Sequence, residues 1–213
     1  MCDPRRICLL MKRLSIFGSI VLIAAGGFAQ APRKPGLYAV FNTSMGTITA
    51  QLYEKDTPNT VKSFVGLATG TKAWIDPETR KLVKRPLYTN IAFHRVVSGE
   101  MIQAGDPTGR GTHNCGFTIM DEFLPGLRFD RAGKLAMANT GNPDSGGCQF
   151  FITVGPMSQW SGKYAIFGQV VEGMDVVEKI NQAPAHDDKP VTPVKLISVT
   201  IEREGPASGA KKR

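Results

Sequence analysis

The chain has 213 residues, 42% hydrophobic and 21% charged, enough to bury one good core, so a single folded domain is the default reading. Its formal net charge of +8 overstates the folded part, because residues 1–29 carry a net +3 and the chain ends in Lys211-Lys212-Arg213. No interleaving of aromatic and basic residues marks a nucleic-acid groove, so scattered solvated lysines account for the charge and nucleic acid is not an expected partner.

The first segment reads as a targeting leader. Lys12-Arg13 precede an apolar run from Leu14 to Ala25, and small residues follow at Gly26, Gly27 and Ala29. This is the pattern of a secretory signal peptide over residues 1–29, cleaved after Ala29 or else after Ala31, with Met11 as the more natural start. The run is too short for a comfortable membrane span, so no stable membrane insertion is expected. The mature protein is expected to be periplasmic or secreted. Residues 30–36 read as a linker, 37–203 as one folded domain, and 204–213 as a flexible basic tail.

Within the domain, Leu37 to Thr43 and Thr47 to Tyr53 read as strands, with Ile48, Ala50 and Leu52 alternating. Thr57-Pro58 starts a helix, Thr57 as N-cap and Pro58 at the first helical position. Val61, Phe64, Val65 and Ala68 share one face, and Gly70 ends the helix. Residues 71–90 form a polar loop packed down by Trp74. Short strands around Arg95 and Met101 are broken by Ser98-Gly99. After an irregular loop come strands at 117–119, 135–139, 149–154 and 165–171. A second helix runs from Met174 to Gln182, and a last strand from Val194 to Glu202 turns Ile197, Val199 and Ile201 to one side. Many short strands with only two helices predict a closed antiparallel barrel, with no internal repeat and no second domain.

Four stretches carry the chemistry: Phe93-His94-Arg95-Val96 with Met101-Ile102-Gln103-Ala104-Gly105-Asp106; Ala136-Met137-Ala138-Asn139-Thr140-Gly141; Gln149-Phe150-Phe151-Ile152-Thr153; and Ile166-Phe167-Gly168-Gln169 running on to Val177. From about Leu37 to Ile201 the chain resembles the cyclophilin-type peptidyl-prolyl cis-trans isomerases. The resemblance, with the leader, implies a bacterial, exported member. It implies a mainly β fold, an eight-stranded antiparallel closed barrel capped by two α-helices, with a packed interior and substrate in a groove on the outside. It implies no cofactor and no metal; His94, His113 and His186 are scattered rather than clustered as zinc ligands. The implied partners are proline-containing polypeptides, unfolded exported proteins above all, bound by a monomer.

Turning an X-Pro bond faces a barrier of about 18–20 kcal/mol from amide resonance. No nucleophile is needed. The catalyst must favour the twisted amide, whose proline nitrogen regains a lone pair and can accept a hydrogen bond. A permanently protonated guanidinium is a fitting donor. By the resemblance, Arg95 is that catalytic arginine and Gln103 orients it and the substrate carbonyl. Met101 and Phe151 wall the proline pocket, the Asn139 backbone grips the peptide, and Ala138 and Gln149 line the adjoining groove. Phe150 is expected to point the opposite way, into the core, and His94 to be structural.

Three pocket positions depart from the family. Glu100 stands where active members usually have phenylalanine, a carboxylate that could ion-pair with Arg95 and divert it. Trp160 replaces the usual wall leucine and could refill the space, and Tyr164 replaces the usual histidine; the tryptophan used for cyclosporin falls on Gln159. A catalytically weak chaperone or proline-peptide binding module is therefore the alternative to an active isomerase. Cys115 and Cys148, the pair left after the leader, are either a disulfide, as an oxidising envelope favours, or two free thiols.

Overall fold

The structure is a computed structural model describing residues 33–205. The leader, Cys2 and Cys8, and the tail from residue 206 lie outside the described residues. Alternation draws β1 (Gly36–Thr43) and β2 (Gly46–Leu52) into a hairpin that turns Ala39, Phe41, Ile48 and Ala50 inward. Ahead of β1, Arg33 is fastened to Glu172 and Glu202 at 3.1 and 2.7 Å, inside the segment read as linker.

Helix α1 (Pro58–Thr69) follows, and Gly70 ends it in left-handed backbone (φ 77°), where a Cβ would run into Pro86. Thr57 does not cap it. Its hydroxyl donates to the Tyr53 carbonyl at 3.3 Å, while the Asn59 and Thr60 amides donate to Glu122 at 3.1 and 2.8 Å. A carboxylate is the stronger partner there because it meets the positive end of the helix dipole. The 71–90 loop contains a small hairpin, β3 (Trp74–Ile75) with β4 (Leu82–Val83). Trp74 is buried, donates its indole N–H to the Arg85 carbonyl and lies under the Arg85 guanidinium, the packing role expected of it.

The remaining elements are β5 (Ile91–Ala92), β6 (Arg95–Val97), β7 (Met101–Ala104), β8 (Lys134–Met137), β9 (Phe150–Thr153), β10 (Ile166–Glu172), α2 (Met174–Asn181), β11 (Ala185–His186), β12 (Lys189–Pro190) and β13 (Lys195–Glu204). Strands β5 to β10 and β13 join β1 and β2 in one antiparallel sheet, in the order β5-β13-β1-β2-β10-β8-β9-β7-β6, while β11 and β12 pair only with each other. The expected mainly β fold with two α-helices is thus borne out, and only full closure was overstated: the strand segments form a curled half-barrel whose edges do not hydrogen-bond to each other. Those edges, β5 and β6, are successive pieces of one chain joined through Phe93-His94.

Two further expectations change. Residues 117–119 make only a single bridge, Ile119 to Gly146, and no strand. In β13 an irregularity opposite Asn42–Thr43 turns Leu196 and Val199 inward and leaves Ile197 exposed.

The interior is aromatic. Phe64 from α1 meets Phe41, Tyr88, Phe150 and Phe167 with ring centroids 5.1–5.9 Å apart, so the helix plugs one end of the sheet with its apolar face. A second apolar layer lies on the sheet's outer side, around Met101, Phe129, Ala136, Phe151, Met157 and Ile166. Phe150 belongs to the inner cluster and Phe151 to the outer one, as strand alternation requires.

Candidate active site

The outward-facing residues of four neighbouring strands bring the site together. Arg95 is the register partner of Gln103, Gln103 of Phe151, and Phe151 of Ala136. Directly opposed residues stand about 5 Å apart at Cβ, so a cation, an amide and an aromatic ring share one row across the sheet. Val97 and Met101 form the next row. Over them runs a groove of about 710 Å³ that Arg95, Met101, Gln103, Ala138, Asn139, Phe151, Trp160 and Tyr164 all line. Gln149, the other residue singled out from the sequence, lines an adjoining groove of about 450 Å³ that shares Gln103, Ala138 and Asn139.

The apolar end of the groove is built on Phe151. Phe129 stacks against its ring at 5.9 Å, while Trp160 and Tyr164 meet it edge-on at 5.5 and 5.2 Å. Trp160, on a single 3-10 turn at Ser158–Trp160, therefore does occupy wall space beside Phe151. A ring of this kind offers a proline apolar faces without hydrogen-bonding demands.

The polar end is a relay of amides. Gln103 Nε2 donates to Gln149 Oε1 at 2.9 Å, and Gln149 Nε2 donates to the Gly111 carbonyl at 3.1 Å. Gln103 is thereby fixed with its own Oε1 unengaged among the described residues. The Asn139 side chain is spent on its own loop, donating to the Lys163 carbonyl at 2.8 Å and accepting from Gly141 N–H at 3.1 Å. Its backbone N–H and carbonyl have no protein partner among the described residues.

Arg95 is half-exposed and its Nε donates to Asp188 Oδ2 at 3.2 Å. The expected rival, Glu100, lines the groove but makes no ion pair with Arg95 or any other described residue. Two residues that carried no signal in the sequence reading hold the β6–β7 hairpin. One is Asp188. The other is Asn181 at the end of α2, which donates to the Val97 and Met101 carbonyls at 2.7 and 3.2 Å and accepts from Gly99 N–H at 2.9 Å. A hint lay only in residue type, since an asparagine in the last turn of an amphipathic helix can turn its amide to other backbone.

His94 is buried, and neither ring nitrogen is hydrogen-bonded among the described residues. Burial pushes its pKa down, partly opposed by Asp106 and by Gln149, which lies near without forming a bond of good geometry. It packs under Gly111 as a neutral ring. Cys115 and Cys148 form a disulfide, their Cα atoms 6.3 Å apart, at the base of the adjoining groove.

Residues 38–201 match the family described as cyclophilin type peptidyl-prolyl cis-trans isomerase/CLD. The chain belongs to this family. Among similar cyclophilin-type proteins, peptidyl-prolyl cis-trans isomerase B of Streptomyces anulatus is 44% identical over 170 residues, 78% of this chain and 97% of that one. Peptidyl-prolyl cis-trans isomerase A of Mycobacterium tuberculosis is 43% identical over 166 residues, covering 76% and 91%. A Cryptosporidium parvum cyclophilin type isomerase, crystallised in the presence of the dipeptide Ala-Pro, superposes with a TM-score of 0.68 at 28% identity, covering 78% of this chain and 99% of that one. Within this cyclophilin-type domain no cluster of three or more His, Cys, Asp or Glu is placed to hold a metal, and no helix is long and apolar enough to cross a membrane, among the described residues.

Proposed function

We propose that this peptidyl-prolyl cis-trans isomerase accelerates X-Pro isomerisation in exported proteins, with Arg95 stabilising the twisted amide. The observation that carries this reading is the single row Arg95–Gln103–Phe151 beside an aromatic pocket. A proline ring seated against Phe151, Met101, Trp160 and Tyr164 leaves its nitrogen toward the cation. As the amide twists and the nitrogen pyramidalises, an Nη–H of Arg95 donates to the returning lone pair. That bond is absent in either planar form, so it lowers the barrier rather than merely binding substrate. Gln103 Oε1 and Nε2, fixed through Gln149, and the free backbone of Asn139 anchor the flanking peptide so that rotation is confined to one side of the bond.

Export rests on the leader in residues 1–29 and is supported by the Cys115–Cys148 bridge, since such bridges persist in oxidising compartments. On this reading the protein works in the periplasm or outside the cell, as a bacterial monomer without cofactor. The second reading, a chaperone or proline-peptide binding module of low turnover, draws on Glu100, a carboxylate on the groove wall with no ion pair among the described residues. An isomerisation assay on a short X-Pro peptide separates the two. Arg95→Ala is expected to lower turnover at least about tenfold, worth 1.4 kcal/mol or so of transition-state stabilisation, with the thermal transition intact. A wild-type chain that binds the peptide without turning it over favours the second reading; full turnover in the variant refutes the role of Arg95.

A further inference from the structure

The bond that Arg95 makes comes from a segment that no motif covers. After α2 the chain folds into the β11–β12 hairpin, with Ala185 opposite Pro190 and His186 opposite Lys189. Its corner is Asp187-Asp188, both in left-handed backbone with φ of 50° and 62°. Two such residues in succession are the signature of a type I′ turn, and only glycine, asparagine and aspartate accept it readily. The hairpin is tied to the site at the same point. Val96 N–H, one residue beyond Arg95, donates to the Asp188 carbonyl at 2.6 Å, while the Asp188 carboxylate receives Arg95 Nε–H at 3.2 Å.

We propose that Asp188 is a positioning residue for Arg95, an inference that rests on the catalytic role proposed for Arg95 above. The contact is one-pointed and uses Nε, so all four N–H groups on Nη1 and Nη2 stay available, whereas a two-pointed carboxylate clamp would consume part of that set. Glu100, Arg110, Asp187 and Lys189 also face this groove, and none of them bonds to Arg95. An arginine side chain loses much rotamer freedom when it is fixed. Asp188 fixes it before substrate arrives, so the reacting amide need not do so. With both side chains about half exposed (50% and 44%), the pair adds little to folding stability. Its consequence is orientation.

The test measures kcat, KM and Tm on the full chain with an X-Pro peptide, for Asp188→Gly, Asp188→Ala, Asp188→Asn and Arg95→Ala. Glycine suits the left-handed corner, so Asp188→Gly is expected to keep or raise Tm while kcat falls about fivefold, the loss of one charge-assisted contact, with KM unchanged. Asp188→Ala reads the same loss if the glycine variant does not fold. Asp188→Asn keeps an acceptor oxygen and the corner conformation, and should recover most of the lost kcat. An unchanged or increased kcat in both Asp188→Gly and Asp188→Ala overturns the inference, as does a loss that falls on KM alone or tracks a fall in Tm. If Arg95→Ala loses turnover while the Asp188 variants keep theirs, only the positioning role fails. If Arg95→Ala itself keeps full turnover, the catalytic reading falls first.

Discussion

Replacing Asn181 with alanine removes three hydrogen bonds at once from the hairpin that carries Arg95 and Met101. Each is a neutral bond with a net contribution of about 0.5–1.5 kcal/mol. Gly99 is exposed and its N–H can turn to water, but the Met101 carbonyl is buried where the amide reaches it, and a buried group left unpaired costs about 1–3 kcal/mol. The combined loss is about 2–4 kcal/mol, a large share of the roughly 5–15 kcal/mol that holds a domain folded. In a domain of this size that corresponds to a fall in Tm of about 4–16 °C. Asn181→Asp sharpens the reasoning. It keeps an acceptor for Gly99 N–H but sets a carboxylate against two carbonyl oxygens, so at neutral pH it should be less stable than the alanine variant. Thermal unfolding followed by circular dichroism measures both, and the isomerisation assay should show kcat falling in each. A Tm within about 2 °C of the parent for Asn181→Ala, or an aspartate variant more stable than the alanine one, would refute the argument.

Glu100→Phe should raise turnover severalfold, because it replaces a carboxylate with an apolar wall; equal or lower turnover gives Glu100 a task of its own. The Cys115–Cys148 bridge closes a separation of 33 residues, so reducing it, or changing both residues to alanine, should cost about 3–4 kcal/mol of stability. Two titratable thiols in the denatured, unreduced chain starting at residue 30 would contradict the bridge. His94 has a folded pKa below its unfolded value, so its contribution to stability is fully present above about pH 6.5 and is lost as pH falls below that. Denaturant midpoints should therefore drop between about pH 6.5 and 5, before the carboxylates titrate, and His94→Gln should flatten that slope; an unchanged slope in the variant would assign it to another group.

Strand alternation made much of this legible. Phe150 and Phe151 are neighbours in sequence and face opposite layers, and Arg95, Gln103 and Phe151 sit in short contiguous motifs that the sheet register then aligns. What escaped has a common cause. Asp188 and Asn181 reach the β6–β7 hairpin from 93 and 80 residues away, and Glu122 caps α1 from 62 residues away, displacing the local Thr57. A polar residue in an aperiodic segment shows its type but not its partner. The short edge strand and the open ladder were hidden for a related reason. β5 is two residues long, too short for alternation to declare itself, and whether a sheet closes is a property of how its edges meet.

The way those edges meet has a mechanical consequence. Ile91–Ala92 are locked to Lys195–Leu196 on one side, Arg95–Val97 to Met101–Gln103 on the other, and only Phe93 and His94 separate the two ladders. Neither edge can slip without dragging its opposite number, because the link has no slack to absorb a residue's length of about 3.3 Å. The stagger of the entire curled sheet is thus clasped at one short joint, immediately beside the arginine. An ordinary edge strand tolerates a deletion by shifting its pairing. One residue deleted at this joint would force every side chain on one edge to the wrong face, and the alignment of guanidinium, amide and ring would be lost without any of the three being touched.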